Sequence, residues 1–183
     1  MKTKILTLLR EKKDYVSGQQ LCEQFGVSRT AVWKAIGQLR KEGYEIEAVP
    51  NRGYRLTEAA QTEIYNKSEI ASRIQTRWAG RKVYFYKEIG STNAEAKRLA
   101  EAGAPHGTLV VADMQTAGRG RRGRSWISPA DTNIYFTIVL KPEFAPDRAS
   151  MLTLVAAHAI TAAFRDALGL SAGIKWPNDV VID

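Results

Sequence analysis

At 183 residues the chain has room for one or two domains, and 44% hydrophobic with 25% charged residues is an ordinary globular composition. The net charge is +8; residues 1–60 hold eleven basic and seven acidic side chains, so that short stretch carries half of the excess. One cysteine, Cys22, excludes an internal disulfide and reads as a buried structural thiol, while two distant histidines, His106 and His158, give no metal-ligand spacing. No metal site is expected, and His158, set among alanines, reads as a core histidine. The most apolar stretch, 151–163, is too short to cross a bilayer and the N-terminal apolar run too short for a signal peptide, so a cytoplasmic protein without membrane contact is expected.

Residues 3–13 have helical apolar spacing through Ile5, Leu8 and Leu9. Ser17 and Gln20 have the spacing of a capping box, Leu21 and Phe25 continue a second helix, and Gly26 suits its end. Ser28 then caps a third helix with Val32, Ile36 and Leu39 inward. Its opposite face carries Arg29, Thr30, Trp33, Lys34 and Arg40, residue types that reach phosphates and base edges. Alternation through Ile46 and Ala48, a turn at Asn51-Arg52-Gly53, and Tyr54 and Leu56 predict a β-hairpin with Arg52 at its tip. Helix, turn, helix and hairpin together describe a winged helix, with Gly18, Ser28, Arg29, Thr30, Trp33, Lys34 and Arg52 as its DNA face. Helix-turn-helix patterns also occur in proteins that never touch DNA, and surface basic residues are often simply solvated.

Weak periodicity over 61–67 predicts a linker between a 1–60 domain and a second domain over 68–183. There the pattern gives a short helix over 69–76 and strands over 83–86, 108–113, 133–140, 173–176 and 180–182. Thr92 and Glu95 have capping-box spacing for a helix to about 102, and 148–168 reads as a long, largely buried helix. The expected class is α+β: a winged helix-turn-helix followed by a mixed α/β domain. The chain stops beside a predicted strand, so a C-terminally truncated domain is expected.

Residues 115–126 read Gln-Thr-Ala-Gly-Arg-Gly-Arg-Arg-Gly-Arg-Ser-Trp. Glycines permit close backbone approach and arginines offer fixed forks of donors, a combination suited to closing over an anion. Gly118, Gly120 and Gly123 match G-x-G-x-x-G, but Pro129 and the surrounding turn formers replace the helix that a dinucleotide site needs, so that reading is rejected. Taken alone, the loop also fits a solvated basic turn or a nucleic-acid patch.

Two further motifs, Ser91-Thr92-Asn93 and Lys175-Trp176-Pro177-Asn178-Asp179, flank that loop in order. The three together, behind a helix-turn-helix, resemble the bifunctional bacterial biotin protein ligases and biotin operon repressors. The resemblance covers nearly the whole chain. It implies an enzyme that makes biotinyl-5′-AMP from biotin and ATP, with Mg²⁺, and then biotinylates a lysine of the biotin carboxyl carrier protein. It also implies a ligand-promoted homodimer on operator DNA. Biotin or biotinyl-AMP contacts then fall on Ser91, Thr92, Asn93, Gln115, Arg119, Gly120, Arg121 and Lys175. Lys175 and Arg121 become the catalytic pair, and Gly118, Arg122, Gly123 and Trp126 support the loop. The alternative is a repressor that senses biotinyl-AMP without making it. A lipoate ligase is disfavoured because that family's arginine-and-glycine motif ending in His-Asp is absent.

Overall fold

Three short helices open the chain, two with side-chain caps at their N-termini. α1 (Lys2–Lys12) ends in Arg10 and Lys12, favourable charges at a helix C-terminus. At the start of α2 (Gly18–Phe25) the Ser17 hydroxyl accepts from Gln20 N–H, and the Gln20 side chain accepts from Ser17 N–H. α3 (Arg29–Lys41) starts where the Ser28 hydroxyl accepts from Ala31 N–H. Ile5, Leu6 and Leu9, Leu21, and Val32, Ile36 and Leu39 bury fully in one core, with Cys22 partly buried against it. At about 2 kcal/mol per large side chain, this burial holds helices too short to persist alone.

β1 (Ile46–Val49) and β2 (Gly53–Leu56) form the antiparallel hairpin, with Ile46 opposite Leu56. Val16 pairs with Tyr54 through hydrogen bonds of 2.8 and 2.9 Å. That approach demands Gly53: its φ is 108°, and a Cβ there would lie 2.1 Å from the Val16 carbonyl oxygen. Arg40, expected on the DNA-facing side of α3, instead donates twice to the Ile46 carbonyl, at 3.0 and 2.6 Å, and ties α3 to the hairpin.

The computed structural model describes residues 1–57 and 64–182, so of the 61–67 segment only the last four residues are seen. α4 (Lys67–Arg73), capped by the Asn66 side chain, packs on α1. Its buried Glu69 accepts from Arg10 at 2.9 Å, Arg73 at 2.5 Å and the Tyr44 hydroxyl at 3.0 Å. Burial alone raises a carboxyl pKa; donation from Arg73 and Arg10 outweighs it and holds Glu69 below the ordinary carboxylate range.

β3 (Val83–Ile89), β4 (Leu109–Gln115) and β5 (Tyr135–Ile138) make a sheet in the order β3-β4-β5, parallel then antiparallel. α5 (Thr92–Glu101) is the crossover between the parallel pair and packs Ala96 and Leu99 with Val110 and Val139. The described residues up to Leu140 belong to one compact unit, and those from Lys141 onward to another. The second unit holds a short 3-10 turn (Pro146–Ser150), α6 (Met151–Leu168), and an antiparallel hairpin of β6 (Ala172–Lys175) and β7 (Asp179–Ile182).

Two expectations fail in that second unit. α6 is largely exposed, with Ala157 its one buried residue, and His158 is exposed as well. An 18-residue helix runs about 27 Å, whereas four-residue strands reach only about 13 Å, so the hairpin cannot cover it. The helical segment Pro146–Leu168 has 23 residues and contains an 18-residue window with a mean hydropathy of 1.3, long and apolar enough by length and composition to cross a membrane. The 151–163 window missed this because the helix extends past it at both ends.

Glu69→Gln should cost roughly 3 kcal/mol, since it leaves Arg10 without its charge partner. The folded-state pKa of Glu69 is depressed, so its contribution is complete above the unfolded carboxyl value and is lost as pH falls through the folded value. Urea melts at several pH values should show a constant gap to wild type near neutrality that narrows in acid.

Candidate functional site

The loop after β4 is folded on itself. Gln115 N–H donates to the Ser128 carbonyl at 3.0 Å, and Thr116 and Ala117 N–H groups donate to the Ile89 and Gly90 carbonyls. Trp126 N–H donates to the Gly118 carbonyl at 2.9 Å and Gly120 N–H to the Arg124 carbonyl at 2.8 Å, closing a narrow hairpin. Its tip is a 3-10 turn, Arg121–Gly123, with φ of 57° at Arg122 and 74° at Gly123. Arg119, Arg121, Arg122 and Arg124 are exposed around it. No helix follows, as the rejected dinucleotide reading would require. Gly118 serves the loop's own stem: a Cβ there would lie 2.4 Å from the Trp126 carbonyl oxygen and 2.7 Å from Ser128 Oγ. Trp126 is 62% exposed and is not held by packing.

The first turn of α5 joins this loop through one carboxamide. The spacing of Thr92 and Glu95 predicts a capping box, and the structure does not form one; Ser91 takes the N-cap position and makes no side-chain cap bond. Thr92 is buried, and its N–H and hydroxyl reach Gln115 Oε1 at 2.9 and 3.1 Å. Gln115 Nε2 in turn donates to Ser128 Oγ at 3.2 Å. Glu95 is engaged elsewhere: hydrogen bonds from Arg98, then from Tyr86, pull its carboxyl down to about 2. Thr137 Oγ1, from β5, lies 3.0 Å from Thr92 Oγ1 and 2.8 Å from Asn93 Oδ1. Asn93, Gln115 and the base of the arginine loop thus meet at one end of the sheet, with Asn93 exposed.

Sequence reasoning missed Thr137 and Ser128. The signal for Thr137 was there: alternation puts it on the face of Tyr135 and Val139, where a polar residue needs a partner. Asp113 was also missed. It is buried and accepts from Lys87 at 2.5 Å and Asp131 N–H at 3.1 Å, and the Lys87 hydrogen bond keeps it ionised below the usual range. Nearby, burial and then the Asp113 charge push Tyr65 up to about 12.

Lys175 lies in the second unit, exposed at the end of β6 and paired in register with Asp179. Trp176, 77% exposed, begins the turn, and Asn178 Nδ2 donates to the Asp179 carboxylate at 2.7 Å. Among the described residues there is no group of three or more His, Cys, Asp or Glu side chains able to hold a metal ion.

The face named from sequence in the N-terminal region is exposed at Ser28, Arg29, Thr30, Trp33 and Lys34. Gly18 and Arg29 line a groove of about 430 Å³ between the helices and the hairpin. Arg52 is not a loose tip residue: its guanidinium stacks 4.3 Å from the Tyr15 ring centroid, with Arg55 at 4.8 Å. Glu47 accepts from both the Tyr15 hydroxyl and Arg55. Tyr15 carries no motif and was not legible as part of this face.

A three-helix head with a β-wing, followed by an arginine-loop α+β domain, defines a two-part class of protein. Residues 2–55 match the HTH domain family. Residues 85–183 match the Biotin/lipoate A/B protein ligase family, and the chain belongs to that family. Among its relatives, the bifunctional ligase/repressor BirA of Bacillus subtilis (strain 168) is 42% identical over 170 residues, covering 93% of this chain and 52% of the relative. The bifunctional ligase/repressor BirA of Escherichia coli (strain K12) is 34% identical over 180 residues, 98% of this chain and 53% of the relative. A biotin–[acetyl-CoA-carboxylase] ligase of Paracoccus denitrificans is 48% identical over 99 residues, 51% of this chain and 39% of the relative. The chain therefore spans about half the length of the bifunctional relatives it matches.

Gly118→Ala should force the loop stem apart, at a cost of about 1–3 kcal/mol. Limited proteolysis should then cut within 118–126 faster than in wild type, while cleavage elsewhere stays unchanged.

Proposed function

We propose that the protein is a biotin protein ligase and biotin operon repressor. A biotin carboxylate oxygen attacks the α-phosphorus of ATP, brought in as MgATP; pyrophosphate leaves and biotinyl-5′-AMP remains. A lysine amine of the biotin carboxyl carrier protein then attacks the acyl carbon, AMP leaves, and an amide is formed. The observation that carries this reading is the convergence of Ser91, Asn93, Gln115 and the arginine loop at one end of the sheet. Hydroxyl and carboxamide groups there suit a ureido ring, and Arg119 and Arg121, with the loop backbone at Gly120 allowing close approach, suit the carboxylate and phosphate. Gly118, Arg122, Gly123 and Trp126 shape and flank that loop. Buried Thr92 holds Gln115 rather than presenting its hydroxyl to ligand. By its place in the Lys-Trp-Pro-Asn-Asp motif, Lys175 is assigned the part of a cation acting on the charge that develops in adenylation. Two relatives with ligase and repressor in their names support pairing this site with the HTH match. The protein acts in the cytoplasm, as a ligand-promoted homodimer whose paired heads read two operator half-sites.

Incubation with biotin, MgATP and carrier protein tests the enzyme; absence of both biotinyl-AMP and labelled carrier would refute it. Lys175→Ala should slow adenylation about 10²–10³-fold yet still transfer biotin from supplied biotinyl-AMP, as single-turnover assays would show. Near-normal adenylation with crippled transfer would move Lys175 to the acceptor side. On operator DNA, Arg29→Ala and Arg52→Ala should each weaken binding, and a residue that contacts phosphate alone should lower the salt slope by about 1. Unchanged affinity in both would reject the assigned face.

A further inference from the structure

Thr137 belongs to no motif, yet it is the side chain that fixes the exposed member of the Ser91-Thr92-Asn93 motif. We propose that Thr137 is a positioning residue that sets the orientation of the Asn93 carboxamide, and so selects ligands presenting a carbonyl oxygen over ligands presenting a cationic amine at that point. This rests on the biotin-ligase reading above.

Asn93 Oδ1 can only accept, and Thr137 Oγ1 stands 2.8 Å away, so the single proton of the Thr137 hydroxyl goes to it. The Thr92 proton serves Gln115 Oε1 at 3.1 Å, and Thr92 Oγ1 stands 3.0 Å from Thr137 Oγ1 as a second, longer acceptor for the Thr137 hydroxyl. Gln115 Oε1 is fixed from its other side by Thr92 N–H, and Gln115 Nε2 by Ser128 Oγ, so the chain has little freedom to reverse. With Oδ1 turned to Thr137, Asn93 presents its two Nδ2 protons to the open side, where the side chain is exposed. An N–H pair matches the ureido oxygen of biotin, which accepts. It opposes 2-iminobiotin, whose protonated guanidinium puts donors in the same place. Thr137 itself sits on β5 opposite Val110 and is half-buried, so Val can replace it with little change of shape.

The test uses the full chain with biotin and 2-iminobiotin as probes, at neutral pH, by calorimetry. Thr137→Val should weaken biotin binding about tenfold, the value of roughly one hydrogen bond. It should also reduce the preference for biotin over 2-iminobiotin about tenfold, because the released carboxamide can turn Oδ1 outward. Thr137→Ser, which keeps the hydroxyl, should restore the preference. A merely structural role would weaken both ligands equally; an unchanged or increased preference in Thr137→Val overturns the proposal. A second readout needs no ligand. Nuclear Overhauser contacts from the Asn93 Nδ2 protons to residue 137 should be weak in wild type and strong in Thr137→Val, and identical patterns would reject the positioning role. If wild type binds neither probe, the biotin reading fails, while this second readout still decides the part played by Thr137.

Discussion

The carboxamide of Gln115 is the joint on which the site depends. Its oxygen holds the first turn of α5 through Thr92, and its nitrogen holds the far strand of the arginine loop through Ser128. A carboxamide suits this position because it offers an acceptor and a donor on one rigid plane, and the two segments it joins need one of each. A carboxylate would satisfy Thr92 but face the Ser128 hydroxyl without a donor of its own. Strand β4 supplies the rigidity: Gln115 is its last residue, and its backbone pairs with Ile89 on one side and Ser128 on the other. The exposed groups, Asn93 and the arginines, sit on segments whose bases are immobilised from within, which is how a polar site keeps its geometry before ligand arrives.

A second joint lies at α4. Glu69 gathers Arg10 from α1, Tyr44 from the segment after α3, and Arg73 from its own helix. The helical head is thereby fastened to the segment that leads into β3, where Tyr65 packs edge-on against Phe85 at 5.4 Å. Tyr44 is itself part of the head's hydrophobic core, so Glu69 ties that core to the segment that follows it. Tyr15 does comparable work at the wing, where an aromatic face and the Glu47 carboxylate hold two arginines that would otherwise repel each other.

Much of the head was legible because its signals are local. Ser17 with Gln20, Gly26, Ser28 and the turn before Gly53 each act on neighbours a few residues away, and each does so here. The same rule misled at Thr92 and Glu95, where capping-box spacing is present but Thr92 is taken by Gln115, distant in sequence, and Glu95 by Arg98 of the next turn and by Tyr86. Arg40 was placed on the wrong side of its role for the same reason, since the Ile46 carbonyl that claims it belongs to the hairpin. Ser128 and Tyr15 escaped because a single polar residue in a loop has no period, and the alternation at Thr137 shows that it needs a partner without saying which. α6 was read as buried because apolar residues on most sides imply covering elements, and its hairpin is too short to cover it. The order of the three ligase-like motifs survived intact, although Lys175 sits in a separate unit from the other two.

The central claim is that Gln115 couples the start of α5 to the arginine loop. Amide hydrogen exchange on Gln115→Ala, compared with wild type, measures this directly. The account predicts that the Thr92 amide and the amides of 118–128 lose protection together, while those of 109–112 and of the helical head are unchanged. Loss of protection at Thr92 with the loop unaffected, or in the loop with Thr92 unaffected, would contradict it.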